Sequence, residues 1–584
     1  MDINKAKILL ENLLDRIEEG DDGKYRILGS ITPKEIEALR YVVSANVLND
    51  DRGSVGATDS GSSGSPSPAD PIDNSNESQA PLVSNHDSEN DEKIELNLSS
   101  VSLPHRDSNY RVCMDFGTAM SKATFVRDEN DDDLEFIEVL ELGIPGDQEG
   151  VDEYMLVSSV YIDAEGKLWF GHNAVQQAQL APEDGHERID NIKRALSEDN
   201  LESPLPSAFN PTSHELTYEQ IVLAYLTFFT WTINQALTSG MNGMDISCNF
   251  NRRFAMPCFP RANARRVEEK LKTMLGEAQV LSDTFGDEIH QGLSLARFLK
   301  ALQLLRTEKR IYPFIDGSIT EPLGVAGSLL SWKKPLDSLA LVVDVGAGTS
   351  DFSLYRLNVA VEDNEVVTGT GAGEVEGTAR GITEAGNHLD HILLGLIIQK
   401  SGVDSSHPKY LNILHALKRD IRDYKESLFG PNEAAFVTLY TGEHVDIPLE
   451  EFLQHPAVQL FEESLRSTMI DILESADPSW IDWVKANPRR NLTLVLTGGG
   501  ATLPMVRRLA ERAVTVNGVE IPVAPSQVFP AWLQEDYPDL EDHYLRVAVS
   551  LGGARKYTIS SLGPLKSTGI GLGEYKWSPS FTGS

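Results

Sequence analysis

Apolar positions along the chain fall into three regimes. From the start they recur at helical spacing: Ile3, Ala6, Leu10, Leu13, Leu14 and Ile17 share one face, and Gly20 supplies a stop. Thr32-Pro33-Lys34-Glu35 then reads as a capping box with proline in the first turn, opening a second helix to about Ala45. Residues 1–48 are thus expected to form a small helical unit. The pattern then disappears. Positions 51–100 hold twelve serines, ten acids, two basic residues and no aromatic, a composition that buries too little apolar surface to offset ordering entropy. Residues 49–107 are read as a disordered acidic, Ser-rich linker. From Tyr110 short apolar runs (Arg111–Met114, Ser159–Ile162, Ala340–Val343, Leu492–Leu496) alternate with helical ones (Tyr218–Leu237, Ala262–Met274, His388–Gln399, Pro504–Ala513). That alternation predicts layered α/β structure over residues 108–560. A Gly- and Ser-rich stretch at 561–584 reads as a flexible tail, and Gly569, Gly571 and Gly573 have no strand before them.

Composition narrows the function classes. The 584 residues allow three or four domains, and 88 acids against 51 basic residues give a net charge of −37. Such a chain is not expected to present an extended nucleic-acid surface, whose affinity comes from Lys/Arg neutralisation of phosphates. Three cysteines (Cys113, Cys248, Cys258) lack zinc-ligand spacing and are too few for a disulfide scaffold; buried thiols in a reducing compartment are expected. The most apolar helical stretch, Ile221–Ile233, is too short to span a bilayer. The N-terminus carries acids where a secretory signal would be basic. A cytoplasmic protein without membrane insertion is expected.

Three Gly-bearing turns carry candidate chemistry. In RVCMDFGTAMSKATFV a strand meets Asp115-Phe116-Gly117-Thr118 and returns. The glycine lets backbone N–H groups approach an anion, Thr118 and Ser121 add hydroxyls, and Asp115 can hold a hydrated divalent cation. Alone, this is also an ordinary Asp-Gly hairpin. In LALVVDVGAGTSDFSLYRL, Asp344, Gly346, Ala347, Gly348, Thr349 and Asp351 crowd a similar turn; acids beside a polyphosphate imply a metal or a base. The recurrence hints at two related halves. In LTLVLTGGGATLP a strand runs into Gly498, Gly499 and Gly500, where a flat ligand can lie against backbone, and Pro504 begins a helix. EAGNHLDHILL adds Gly386 before a helix containing Asp390.

In this order the elements resemble the actin, heat-shock chaperone and sugar kinase ATPase superfamily, with the first two turns as its phosphate loops and the third as its adenosine loop. Within it, the chain is most similar to the ATPase domain of DnaK-type heat-shock chaperones. SSVYIDAEGKLWFGHNAVQQA resembles the segment after the first loop, and RIDNIKRALSEDN resembles the Lys-Arg-Leu stretch, which makes Lys193 the counterpart of the phosphate-contacting catalytic lysine. FAMPCFPRANARRVEEKL makes Pro257 the switch proline, and IRDYKESLF places Lys425 near the ribose or base. The sequence departs from the family in three places. LSDTFGDEIHQGLS stands where an Asn-Glu-Pro-Thr-Ala-Ala stretch is expected, so that the metal-side glutamate has either Asp283 or no residue as its counterpart. Arg422 replaces an acid, and Thr502 replaces a base-stacking arginine.

The resemblance implies an α/β, two-lobed actin-like fold with a deep nucleotide cleft and the second lobe beginning near residue 336. It implies ATP or ADP with Mg2+ as ligands. Gly117, Thr118, Ala119, Met120, Gly346, Ala347, Gly348, Gly386, Lys425, Gly498, Gly499 and Gly500 would form the nucleotide site. Asp115 and Asp344 would hold the metal through water, and Lys193, Asp344, Thr349 and Asp351 would act in hydrolysis. The expected function is a slow ATPase serving as a conformational switch through a protein partner or client, with no peptide-binding domain in the resemblance. The alternatives are an actin-like filament, a small-molecule kinase and a non-hydrolysing nucleotide scaffold.

Overall fold

The structure is a computed structural model that describes residues 17–19, 25–27, 94–102, 109–128, 135–143, 153–180, 186–198, 200–240, 251–259, 261–331, 334–361, 367–370, 373–511 and 513–556. The chain divides into a unit of residues 1–89 and a unit of residues 90–584. In the first, Ile17–Glu19 pairs antiparallel with Tyr25–Ile27. Ile17, expected in the last turn of a helix, therefore lies in a strand. The rest of the expected helical unit lies outside the described residues, as do linker residues 49–93 and tail residues 561–584.

The second unit is mixed α/β and contains two mixed sheets. In the first, β1 (Tyr110–Asp115) pairs antiparallel with β2 (Met120–Asp128), which pairs antiparallel with β3 (Glu135–Val139). On its other side β1 runs parallel to β4 (Asn251–Met256), which runs parallel to β5 (Ile315–Thr320). In the second sheet β6 (Leu336–Val345) pairs antiparallel with β7 (Ser350–Val361), and β7 with β8 (Val367–Thr370). Strand β6 also runs parallel to β9 (Leu492–Thr497), and β9 to β10 (Val523–Pro525). The orders β5-β4-β1-β2-β3 and β10-β9-β6-β7-β8 agree strand for strand and direction for direction. The recurrence of the Asp-Gly turn in sequence is thus a recurrence of a five-strand order within a six-stranded and a seven-stranded sheet.

Both faces of each sheet are covered, so the central strands are apolar runs without polar alternation. On β6, Leu339, Leu341, Val343 and Val345 face one core, while Ala340 and Val342 face another, formed between the sheets. That middle core holds α3 (Glu321–Leu329) and α6 (Tyr544–Ala554). The two helices cross where neither has a side chain: a Cβ on Gly552 would lie 1.8 Å from the Gly324 carbonyl oxygen.

Helix α1 (Tyr218–Gly240) is long and apolar enough to cross a membrane, yet 83% of its most apolar window is buried inside the protein. It is a core helix, packed with α2 (Arg261–Phe285) against the first sheet. Cys113 and Cys258 are free, buried thiols as expected, and Cys248 lies outside the described residues. One part of the expected linker is structured. Ile94, Leu96, Leu98 and Val101 pack on the first core, the Asn97 N–H donates to Thr284 Oγ1 at 3.0 Å, and its side-chain amide donates to the Asp283 carbonyl at 3.2 Å. The period-two apolar positions in IELNL supply that face, which corrects the expectation of disorder over 94–102.

Candidate functional site

Each sheet delivers its hairpin tip to the same place. At the first tip, Asp115 stands opposite Lys122 in register, with Lys122 Nζ 3.4 Å from Asp115 Oδ2. Only glycine fits at 117, because a Cβ there would meet the Met120 carbonyl oxygen at 1.9 Å. Ala119 accepts a hydrogen bond from the Ser158 N–H at 2.9 Å, which fixes the return of the hairpin. At the second tip, Asp344 stands opposite Asp351 and the Gly346 N–H donates to the Thr349 carbonyl at 3.0 Å. The tips touch: a Cβ on Gly348 would lie 2.7 Å from Thr118 Oγ1 and Cγ2.

The third Gly-bearing turn closes on the second. Thr497 pairs with Asp344 across the ladder, the Gly500 N–H donates to the Val345 carbonyl at 2.9 Å, and Gly498 has φ +83°. A Cβ at 498 would fall 2.3 Å from Asp344 Oδ1, while Gly499 has open space over it. Helix α4 (Gly386–Ser401) joins them through Gly386 N–H to Gly346 carbonyl (3.0 Å) and Asn387 N–H to Ala347 carbonyl (2.7 Å). Lys425, on α5 (Tyr410–Phe429), pairs with Asp390 at 2.7 Å and donates to the Gly386 carbonyl at 3.1 Å. Every glycine implied by the resemblance, with Thr118, Ala119 and Lys425, is therefore in one connected set of loops.

Two further strand ends reach the acids. Past β4, Pro257 delivers Cys258, whose N–H donates to Asp351 Oδ1 at 2.8 Å. Past β5, Glu321 opens α3 ahead of Pro322 and forms an ion pair with Lys193. Sequence reasoning missed Glu321 and Lys122. Glu321, followed by Pro322 at the start of α3, is a buried acid of the site that lies outside the 281–294 segment where a metal-side acid was expected. Its signal is that dipeptide following a β-strand. Asp283 lies elsewhere: on α2, it accepts hydrogen bonds from the Ser100 hydroxyl and, at 2.8 Å, from the Gln279 side chain. It has no place in this cluster, and the metal-side expectation for it is corrected.

The electrostatics follow from burial. Asp115, Glu321, Asp344 and Asp351 share the site with Lys122 and Lys193, four carboxyls against two amines. Burial, then Glu321, Asp351 and Asp115, pushes the Asp344 carboxyl well above the usual range, against the opposing charge of Lys122. Burial and Glu321 push Asp351 to about 7, although the Cys258 N–H, Thr349 and Lys193 oppose this. Burial works against the Lys193 charge, but Glu321, Asp115 and Asp351 outweigh it and raise its pKa. Protonation or a bound cation would each relieve such an excess of acid. Asp351 Oδ2 is buried with no hydrogen-bond partner, and among the described residues no three acidic, His or Cys side chains converge as direct ligands. The oxygen-only set fits a magnesium ion that keeps waters and takes phosphate oxygens, not an ion caged by protein.

A pH effect on stability follows. An acid whose folded pKa is raised binds its proton more tightly when folded, so its stabilisation is complete below the unfolded pKa and is lost as pH rises through the folded value. For Asp351 that window runs from about 4 to 7. Thermal unfolding without nucleotide should show wild type losing stability relative to Asp351→Asn across that window; parallel curves would contradict the assignment.

The sequence matches no protein-family model and no curated protein.

Proposed function

We propose that residues 90–556 form a two-lobed ATPase of the actin, heat-shock chaperone and sugar kinase type, working as a slow nucleotide-driven switch through a protein partner. The observation that carries this reading is the meeting of two Asp-Gly hairpin tips, one from each of two like-ordered sheets, over one buried cluster of carboxylates and lysines. Polyphosphate would be gripped from both sides by the N–H groups of the tips and by Lys122 and Lys193, an arrangement of positioned charge that is what phosphoryl transfer needs. Magnesium, when bound, would neutralise charge on the β- and γ-phosphates. Asp351, poised near neutral pH, would orient the attacking water and take its proton. Gly498–Gly500 and Lys425 would carry the adenosine.

A nucleotide that touches both tips favours their approach, and hydrolysis weakens that preference. Moving such an equilibrium from 1:99 to 99:1 takes about 5.5 kcal/mol of differential binding. The buried Glu321–Lys193 pair supports the hydrolysing reading over a non-hydrolysing scaffold.

Calorimetric titration with ATP and ADP in magnesium tests the site. Wild type should bind both, and Gly498→Val, which places a branched side chain at φ +83° against Asp344, should weaken binding at least about tenfold. Failure of wild type to bind either nucleotide would overturn the reading.

A further inference from the structure

Ser121, expected to offer its hydroxyl to an anion at the first turn, is fully buried. Its Oγ lies 3.0 Å from Ser158 Oγ and accepts from the Tyr225 hydroxyl at 3.0 Å. Tyr225 Oη also lies 3.2 Å from Ser158 Oγ, and Ser158 and Tyr225 are as buried as Ser121. The three oxygens close a ring. One proton on each serves its three bonds, every oxygen donating once and accepting once. The ring has no proton left over for a bound anion, so the expectation for Ser121 is corrected, and Thr118 is the hydroxyl that this turn brings to the other tip.

The ring holds the first hairpin on both of its legs. Ser121 is on the returning strand, one step beyond the Asp115–Lys122 pair. Ser158 follows Leu156–Val157, which pairs with Ser121 and Met120, and its N–H donates to the Ala119 carbonyl at 2.9 Å. Tyr225 reaches in from α1, and its ring packs on that of Phe116, on the outgoing leg, with 5.5 Å between centroids. One tyrosine therefore touches the turn before and after Gly117. Burial raises the pKa of the phenol against the opposing hydrogen bonds of the two serines, so Oη keeps its proton at neutral pH. The second tip is held differently. Ser350 stands one step beyond the Asp344–Asp351 pair, as Ser121 stands beyond Asp115–Lys122. Its hydroxyl donates to the Glu384 carbonyl at 2.6 Å, just ahead of α4. Main chain anchors that tip, whereas a side chain of a core helix anchors the first.

We propose that Tyr225 is a positioning residue for the first tip, acting through Ser121 to hold Asp115, Thr118 and Lys122 in the arrangement that grips polyphosphate. Small displacements of such groups are costly to binding and rate, which is why supporting contacts behind them matter. Tyr225 is not a catalytic residue, since its hydroxyl is enclosed by the two serines. The effect on nucleotide rests on the ATPase reading above; the clamp on the turn does not.

Two readouts separate those claims on the full chain. Hydrogen exchange without nucleotide reads the clamp alone. Tyr225→Phe keeps a ring against Phe116 and removes only the hydroxyl. It should raise exchange in 116–122 and 156–159 and leave the second tip, 344–351, unchanged. Ser121→Ala should do the same, and it carries the test should the phenylalanine variant fold poorly. Calorimetric titration with ATP and magnesium, well below the unfolding temperature of each variant, reads the grip. Each substitution should weaken ATP binding about fivefold, the size of one hydrogen bond's net contribution. The double variant should bind no more weakly than Ser121→Ala alone, because the Tyr225 hydroxyl acts on the turn through that residue. Unchanged exchange at the first tip, or exchange raised equally at 344–351, overturns the clamp. A lowered unfolding temperature with ATP affinity intact makes Tyr225 a structural residue only and overturns the positioning role. So do effects that multiply to about 25-fold in the double variant, since they require a route other than Ser121. Failure of wild type to bind ATP overturns the ATPase reading while the exchange result stands.

Discussion

Replacing Lys193 with alanine is expected to lower ATP turnover by about 10²–10³-fold, the usual cost of removing one preorganised group that stabilises developing charge. The same substitution should also destabilise the protein, because it leaves Glu321 buried among Asp344 and Asp351 without its counter-ion. Removing one partner of a buried pair costs about 3–5 kcal/mol. These two effects have different cures. Adding Glu321→Gln removes the stranded charge, so Lys193→Ala/Glu321→Gln should recover much of the lost thermal stability. It should recover none of the turnover. Phosphate release and thermal unfolding on the single and double variants check this, and recovery of both properties would make Lys193 a structural cation only.

The second large effect lies far from the acids. Helices α3 and α6 cross in the core between the two sheets, and Gly552 sits at the contact. A Cβ there would lie 1.8 Å from the Gly324 carbonyl oxygen and 2.5 Å from the Ser328 nitrogen. Both obstacles are backbone, so a side chain can be admitted only by separating the helices. Overpacking a well-filled core typically costs about 1–3 kcal/mol, and Gly552→Val should reach or exceed the top of that range. Gly395, on the exposed side of α4 with nothing within 4 Å of its Cβ position, is the control. Gly395→Ala should be neutral or stabilising by up to about 1 kcal/mol. Denaturant unfolding of both variants checks the pair; equal stability would mean that the crossing is not tightly packed. Since α6 packs on the first sheet and α3 also contacts the second, the crossing ties the two halves together. A milder Gly552→Ala is the variant through which coupling between them can be studied.

Much of the second unit was legible because its signals are local. The Asp-Gly turns, the apolar runs leading into them and the glycine trio each announce themselves within about a dozen residues, and all came together at one place. The long helices were legible from their spacing, apart from Pro504–Ala513, which shortens to a turn of α-helix and a 3-10 turn. What escaped was non-local or diluted. Glu321 was missed because its Glu-Pro pair lies well beyond the Asp283 segment, and only the parallel pairing of β5 with β4 brings it to the site. Lys122 was overlooked as a strand residue, although the tight hairpin turns it back over Asp115. The docked segment 94–102 was hidden by averaging composition over fifty residues, which buried the alternation in IELNL beneath serines and acids.

The central claim is that the two hairpin tips form one hydrolytic site. Steady-state phosphate release from ATP with magnesium, on wild type and Asp344→Asn with nucleotide binding measured in parallel, tests it most directly. The account predicts slow release by wild type, a fall of at least about tenfold in Asp344→Asn, and nucleotide binding retained in both. Nucleotide binding with no release by wild type, or release that Asp344→Asn leaves unchanged, would contradict it.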